Sequence, residues 1–230
     1  MAEVPNRMDW EGKIGKDIAK LLRRQMGALL ELMGDPPDLV NVPEAFWVEH
    51  GEEMRAALQR NFQQIYLASA EQVLLGQPIG IEWGIINQGA IQWSSQYSFD
   101  LIADLTATTR AAVRNAVGSF FEDQLTMGDL RNMLSQTFGP VRADMIASTE
   151  VTRAAVQGEL AFVAELRKEG VELVARWQTN VDESVCPICL PLNETLTWVA
   201  KFPSGPPAHV RCRCWINHEF ADRRGEVIGA

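Results

Sequence analysis

The sequence predicts an α+β protein, mostly α. A long helical hairpin comes first, a helical middle follows, and a small antiparallel β module closes the chain. Three observations carry this reading. Apolar residues recur at helical spacing up to Leu75. Gly and Pro clusters then cut a run of further helical stretches. Past Gly170 the pattern turns to short β-like segments, and all 4 cysteines of the chain lie there.

The first helix is expected from about Asp9 to Met33, striped by Ile14, Ile18, Leu21, Leu22, Leu29 and Leu30. Gly34-Asp35-Pro36-Pro37-Asp38 ends it, and Pro43 opens a second helix over Glu44 to Leu75. Two long helices joined by a short loop form a hairpin. Gly76-Gln77-Pro78-Ile79-Gly80 is the best internal boundary. The expected division is therefore an N-terminal arm over 1–78, a second domain over 79–220 and a tail over 221–230. Trp10, Phe46 and Trp47 lie near the ends of the hairpin, which makes the arm the expected partner-binding element.

Beyond the boundary, shorter helices are expected over Glu82–Gln96, Asp100–Thr109 and Arg110–Gln124. Thr126 caps the next one, with Asp129 three residues on in capping-box position. Gly139-Pro140 punctuates, and a longer helix runs from Val141 to Lys168, with Gly170 as its terminating glycine. Three strands are expected at Leu173–Gln178, Thr195–Val199 and Cys212–Ile216, carrying Trp177, Trp198 and Trp215 in turn.

The chemistry is concentrated in Cys186-Pro187-Ile188-Cys189 and in His209-Val210-Arg211-Cys212-Arg213-Cys214. A Cys-x-x-Cys knuckle places two thiolates on one tetrahedral ion, and two soft donors from a second segment close the shell, which suits a structural zinc. Five donors compete for four places. Cys212 and Cys214 on one side of an extended segment give one shell, with His209 behind it. Cys186, Cys189, His209 and one later cysteine give the other. A metal is favoured over two disulfides because Met1–Lys13 has no apolar signal core and nothing else implies an oxidising compartment. A closed site is favoured over a catalytic one. Neither His-Glu-x-x-His nor a deaminase-type His-x-Glu is present, and a catalytic zinc keeps an open position. No enzymatic activity is expected.

Glu150 and Arg153 can pair on one helix face, and a surface ion pair of little worth is the plainer reading. The sharper reading has Thr149, Glu150 and Arg153, with Trp177 and Asp182, bracing the loop that carries the cysteines. The tryptophans are expected to fill the small core around the metal, with a base-stacking platform as the functional alternative. A net charge of −9 argues against a broad nucleic-acid surface, and no apolar run is long enough for a transmembrane helix. Folding in a cytoplasm without membrane contact is expected.

In order, the chain carries Thr149-Glu150 with Arg153-Ala154, Trp177, Asp182 with Val185-Cys186-Pro187 and Cys189, and Pro206-Pro207 with His209 and Cys212-Arg213-Cys214. This series closely resembles the phage Mu F-like family of minor head (head morphogenesis) proteins, over roughly Glu82 to Ile216. Two departures stand out. Ser148 occupies a position where the family commonly has Arg, and Val210-Arg211 stands where Pro-Asn commonly follows the His. The resemblance implies a virion component of a tailed phage or prophage. It implies association with the portal inside the capsid and a role in head assembly, genome packaging or delivery. Contact with packaged DNA through local arginines, and self-association, are left open. The alternatives are a zinc-stabilised nucleic-acid-binding module using Arg211, Arg213, Arg223 and Arg224, and a zinc-dependent hydrolase.

Overall fold

The structure is a computed structural model that describes residues 4–74, 82–180, 185–196, 205–222 and 224–228. Five helices come first: α1 (Arg7–Met33), α2 (Glu44–Leu74), α3 (Trp83–Glu122), α4 (Met127–Phe138) and α5 (Pro140–Lys168). Two strands follow, β1 (Leu173–Gln178) and β2 (Trp215–Phe220). The chain is α+β and mostly α. Its residues group into two compact units. One comprises Met1–Glu11, Asn61–Ser94 and Ser148–Ala230, the other Gly12–Arg60 and Ser95–Ala147.

The second of these is all helical. Ile14, Ile18, Leu22, Leu29 and Met33 line the buried face of α1 at intervals of about one or two turns. Phe46, Trp47, Met54 and Leu58 do the same for α2, and Leu130, Leu134 and Phe138 for α4. The Thr126–Asp129 capping box is formed: the Thr126 hydroxyl accepts from Asp129 N, and the Asp129 carboxylate accepts from Thr126 N. Pro140 opens α5 at the position where its missing N–H is not needed. Arg142, one turn in, donates to Thr109 Oγ1 (2.8 Å), the Thr137 carbonyl (3.0 Å) and Thr108 Oγ1 (3.1 Å), which ties α3, α4 and α5 at one point.

The three helices expected between Glu82 and Gln124 are one continuous α3. Hydroxyl residues at the expected junctions, Ser98 between the first two helices and Thr108 and Thr109 before the third, turn their hydroxyls back onto the helix. Ser98 Oγ donates to the Ser95 carbonyl, Thr108 Oγ1 to Asp104 and Leu105, and Thr109 Oγ1 to Leu105. Such back-bonding satisfies the side chain without ending the helix.

The first unit packs α5 against the C-terminal part of α2 and the N-terminal part of α3. Its core holds Tyr66, Ala70, Val73, Ile86, Ala90, Phe162, Val163, Leu166 and Leu173, with Trp83 and Trp93 packed on it. At Gly158 the backbones of α5 and α2 touch. A Cβ there would overlap the Tyr66 carbonyl oxygen and come 2.7 Å from its carbonyl carbon. Strands β1 and β2 pair antiparallel from Leu173↔Phe220 to Gln178↔Trp215, and Ala175 and Ile216 pack on Val156 of α5.

The last strand therefore begins at Trp215, three residues past the expected start at Cys212. The chain before it is a turn, with Cys212 N donating to the His209 carbonyl and Arg211 at a left-handed φ of 63°. On the other edge of β1, the described part of the expected Thr195–Val199 strand makes an antiparallel bridge, Arg176↔Leu196, with Trp177 N donating to the Thr195 carbonyl. Residues 197–199, Trp198 among them, lie outside the described residues, as does Asp182.

Candidate metal centre

Two loops deliver the donors. The first leaves β1, turns through Cys186–Cys189 and returns by a short 3-10 turn at Leu190–Leu192. Its knuckle is held by backbone: Cys189 N and Leu190 N both donate to the Cys186 carbonyl, and Cys189 N also points at Cys186 Sγ (3.3 Å). The second loop is the His209–Cys214 turn that feeds β2. Together they place His209 Nε2 2.9 Å from Cys186 Sγ and 3.2 Å from Cys189 Sγ, and Cys189 Sγ 3.6 Å from Cys212 Sγ.

Two overlapping triads result, Cys186/Cys189/His209 and Cys189/Cys212/Cys214, with Cys189 common to both. All four cysteines are free, and the 3.6 Å sulfur separation is far from a disulfide bond of about 2.05 Å. With metal–ligand bonds of about 2.0–2.3 Å, the edges of a tetrahedral shell measure roughly 3.5–3.8 Å. The donors stand 2.9–3.6 Å apart, at or inside that spacing, so the cluster could hold a metal ion.

The histidine is oriented for the task. Its Nδ1 lies 2.7 Å from the Val210 carbonyl, an oxygen that can only accept, so Nδ1 carries the proton. Nε2 therefore turns its lone pair to the sulfurs, the arrangement in which a backbone carbonyl fixes a ligating imidazole.

The sulfurs themselves are in electrostatic conflict. A hydrogen bond from the Cys214 thiol holds Cys212 down to about 5. Burial and the neighbouring Cys212 charge push Cys189 up to about 12, and the bond to Cys212 raises Cys214 as well. Crowded, buried thiols give up one proton and resist giving up more. A divalent cation removes that conflict, since it stabilises several thiolates at once.

The residues singled out as braces fall in different places. Trp177 is fully buried and packs beside Cys189, Cys212 and Cys214. That burial removes it from any base-stacking surface. Thr149, in the middle of α5, accepts the Arg211 backbone N–H on its Oγ1 at 2.8 Å. Glu150 is buried and lies 3.4 Å from Arg153 Nε, whose side chain is partly exposed. Asp182 lies outside the described residues.

Sequence reading missed three residues. Thr152 Oγ1 donates to the Cys212 carbonyl (2.9 Å), Arg7 Nη1 donates to Thr152 Oγ1 (2.9 Å), and Glu11 accepts from Arg213 Nη2 (2.6 Å). Thr152 could have been found, since it sits three residues past Thr149 on the same helix face. Arg7 and Glu11 carried no such signal. A second buried pair, Glu159 of α5 with His218 of β2 (3.2 Å), joins positions with no pattern in common. Burial raises the Glu159 carboxyl above its ordinary value.

Residues 110–217 match the family described as Phage Mu protein F like protein. The match takes in α4, α5, both cysteine loops and all five donors, and it begins inside α3, later than the resemblance at Glu82 implied. No curated protein and no solved structure matches the chain significantly.

Proposed function

On the match of residues 110–217 to the phage Mu F-like family, we propose that this is a structural minor head protein of a tailed phage or prophage. It would associate with the portal inside the capsid and act in head assembly or in genome packaging and delivery. The observation that carries the reading is the family match, which spans the whole donor cluster. Non-enzymatic action fits the chemistry of that cluster: four of its five donors are enough to close a tetrahedral shell, which would leave no open position.

The shell we favour is Cys186, Cys189, His209 and Cys212. His209 Nε2 faces the first two thiols, and Cys212 Sγ lies 3.6 Å from Cys189 Sγ. Cys214 then stands behind Cys212 as a hydrogen-bond donor. Bound zinc would cross-link the two loops and contribute directly to folding. The nucleic-acid alternative has less support, because the Arg213 guanidinium is engaged by Glu11 and Trp177 is buried. Among the described residues no helix is long and apolar enough to cross a membrane.

Two measurements test this. Mass spectrometry of purified particles should find the chain in a few copies per head, and it should co-purify with portal protein when the two are co-expressed. Elemental analysis should find a single zinc per chain, lost in Cys189→Ser and kept in Cys214→Ser. Particles that lack the chain, or a protein free of stoichiometric metal, would each end the corresponding half of the proposal.

A further inference from the structure

We infer that the first turn of α1 is a clasp on the metal-ligand segment, so that metal binding and docking of the N-terminal turn reinforce each other. Three consecutive residues of that segment are gripped from outside. Arg211 N–H is held by Thr149 Oγ1 (2.8 Å), the Cys212 carbonyl by Thr152 Oγ1 (2.9 Å), and the Arg213 guanidinium by the Glu11 carboxylate (2.6 Å). Arg7 completes the chain by donating to the same Thr152 hydroxyl (2.9 Å). Arg7 and Glu11 are one turn apart on α1; Glu11 reaches the ligand segment directly at Arg213, and Arg7 reaches it through Thr152, whose hydroxyl holds the adjacent Cys212 carbonyl.

The local sequence gives α1 no reason to place these residues as it does. Arg7 is the first residue of the helix, where a cation opposes the helix dipole. Arg7 and Glu11 are also 4% and 6% exposed, so both have left water. Their own contact, 3.7 Å, is a loose one. A buried ion pair of that kind does not recover its desolvation by itself. The bonds to Thr152 and Arg213 help to compensate, and the Glu11–Arg213 bond, like the Thr152 bond to the Cys212 carbonyl, exists only while the Cys212–Cys214 segment keeps its shape. A metal on Cys189 and Cys212 holds that shape. Coupling between two binding events is reciprocal: whatever factor the metal lends to docking of the turn, the turn lends to metal affinity.

The inference rests on the metal reading above, and the experiment separates the two. Amide hydrogen exchange over residues 8–14 is followed by mass spectrometry in zinc-loaded and chelator-stripped full-length protein, with α4 as the internal reference. In parallel, zinc affinity is measured by chelator competition in the parent, Thr152→Val and Glu11→Gln. Stripping should speed exchange in 8–14 by about tenfold or more relative to α4, and each variant should bind zinc several-fold to about tenfold more weakly. A chain that binds zinc, yet shows the same exchange in 8–14 with and without it, overturns the clasp alone. A chain that binds no zinc overturns the metal reading and the coupling with it. Should stripping unfold the whole protein, the affinity arm decides, and parental zinc affinity in both variants overturns the clasp.

Discussion

Replacing Gly158 by alanine should destabilise the protein, although alanine is the better helix former. The local preference favours the substitution by about 0.8–1.0 kcal/mol in a helix interior. The packing opposes it. An added Cβ would lie 2.7 Å from the Tyr66 carbonyl carbon and 2.9 Å from its Cα. Ordinary carbon–carbon contact is about 3.5–4.0 Å, so α5 and α2 must part by roughly an ångström. The obstacle is helix backbone, which cannot rotate away as a side chain can. Overpacking of this kind costs typically about 1–3 kcal/mol and occasionally more, and the backbone contact puts Gly158 at the upper end. The net expectation is a loss of about 2 kcal/mol. Gly27, an exposed glycine inside α1 with nothing within 4 Å of its would-be Cβ, supplies the control. Gly27→Ala should gain up to about 1 kcal/mol. Urea unfolding of both variants reads the contrast directly as midpoints shifted in opposite directions. If Gly158→Ala matches or exceeds the parent, the close approach of α5 and α2 is not what the geometry says.

Two further outcomes follow from buried polar groups. Arg142→Met removes four donated hydrogen bonds at the α3–α4–α5 junction and leaves the Thr137 carbonyl short of a partner, so it should cost about 2 kcal/mol. Arg142→Lys should rescue little, because a single ammonium cannot reproduce the guanidinium fork, and a parental urea midpoint in either variant would refute this. Glu159 gives a pH signature. Its folded-state carboxyl is raised above the ordinary 4.5, chiefly by burial. The folded chain therefore holds this proton to higher pH than the unfolded chain. The stability it lends is present below the unfolded value and lost as pH rises through the folded one. Glu159→Gln cannot ionise, so its urea midpoint relative to the parent should improve from pH 4.5 to 7.5. A gap that stays constant over that range contradicts the assignment.

Much of the fold was legible because it depends on local rules. The bounds of α1, α2 and α5 follow from apolar spacing, and that of α4 from the Thr126–Asp129 box. The length of α3 was not legible. Thr108 or Thr109 reads as a cap, and the gap around Ser98 as a break, until their hydroxyls are seen bonded to carbonyls three and four residues back. The donors were visible as residue types at a spacing, but the turn that brings His209 Nε2 against two sulfurs depends on the backbone at Arg211. The supports of the ligand segment were least visible. Arg7 and Glu11 look like solvated charges on an amphipathic helix, and only contacts more than a hundred residues away in sequence bury them.

That backbone at Arg211 bears on how this site can change over evolutionary time. Its φ of 63° is a conformation that asparagine and glycine adopt readily and β-branched residues resist. The main-chain N–H at this position is taken by Thr149. Any residue that holds the left-handed turn keeps that bond, and the arginine keeps it at the cost of strain. The position is open to exchange among residues that tolerate the left-handed region, while valine or isoleucine would pull the turn straight and draw His209 and Cys212 apart.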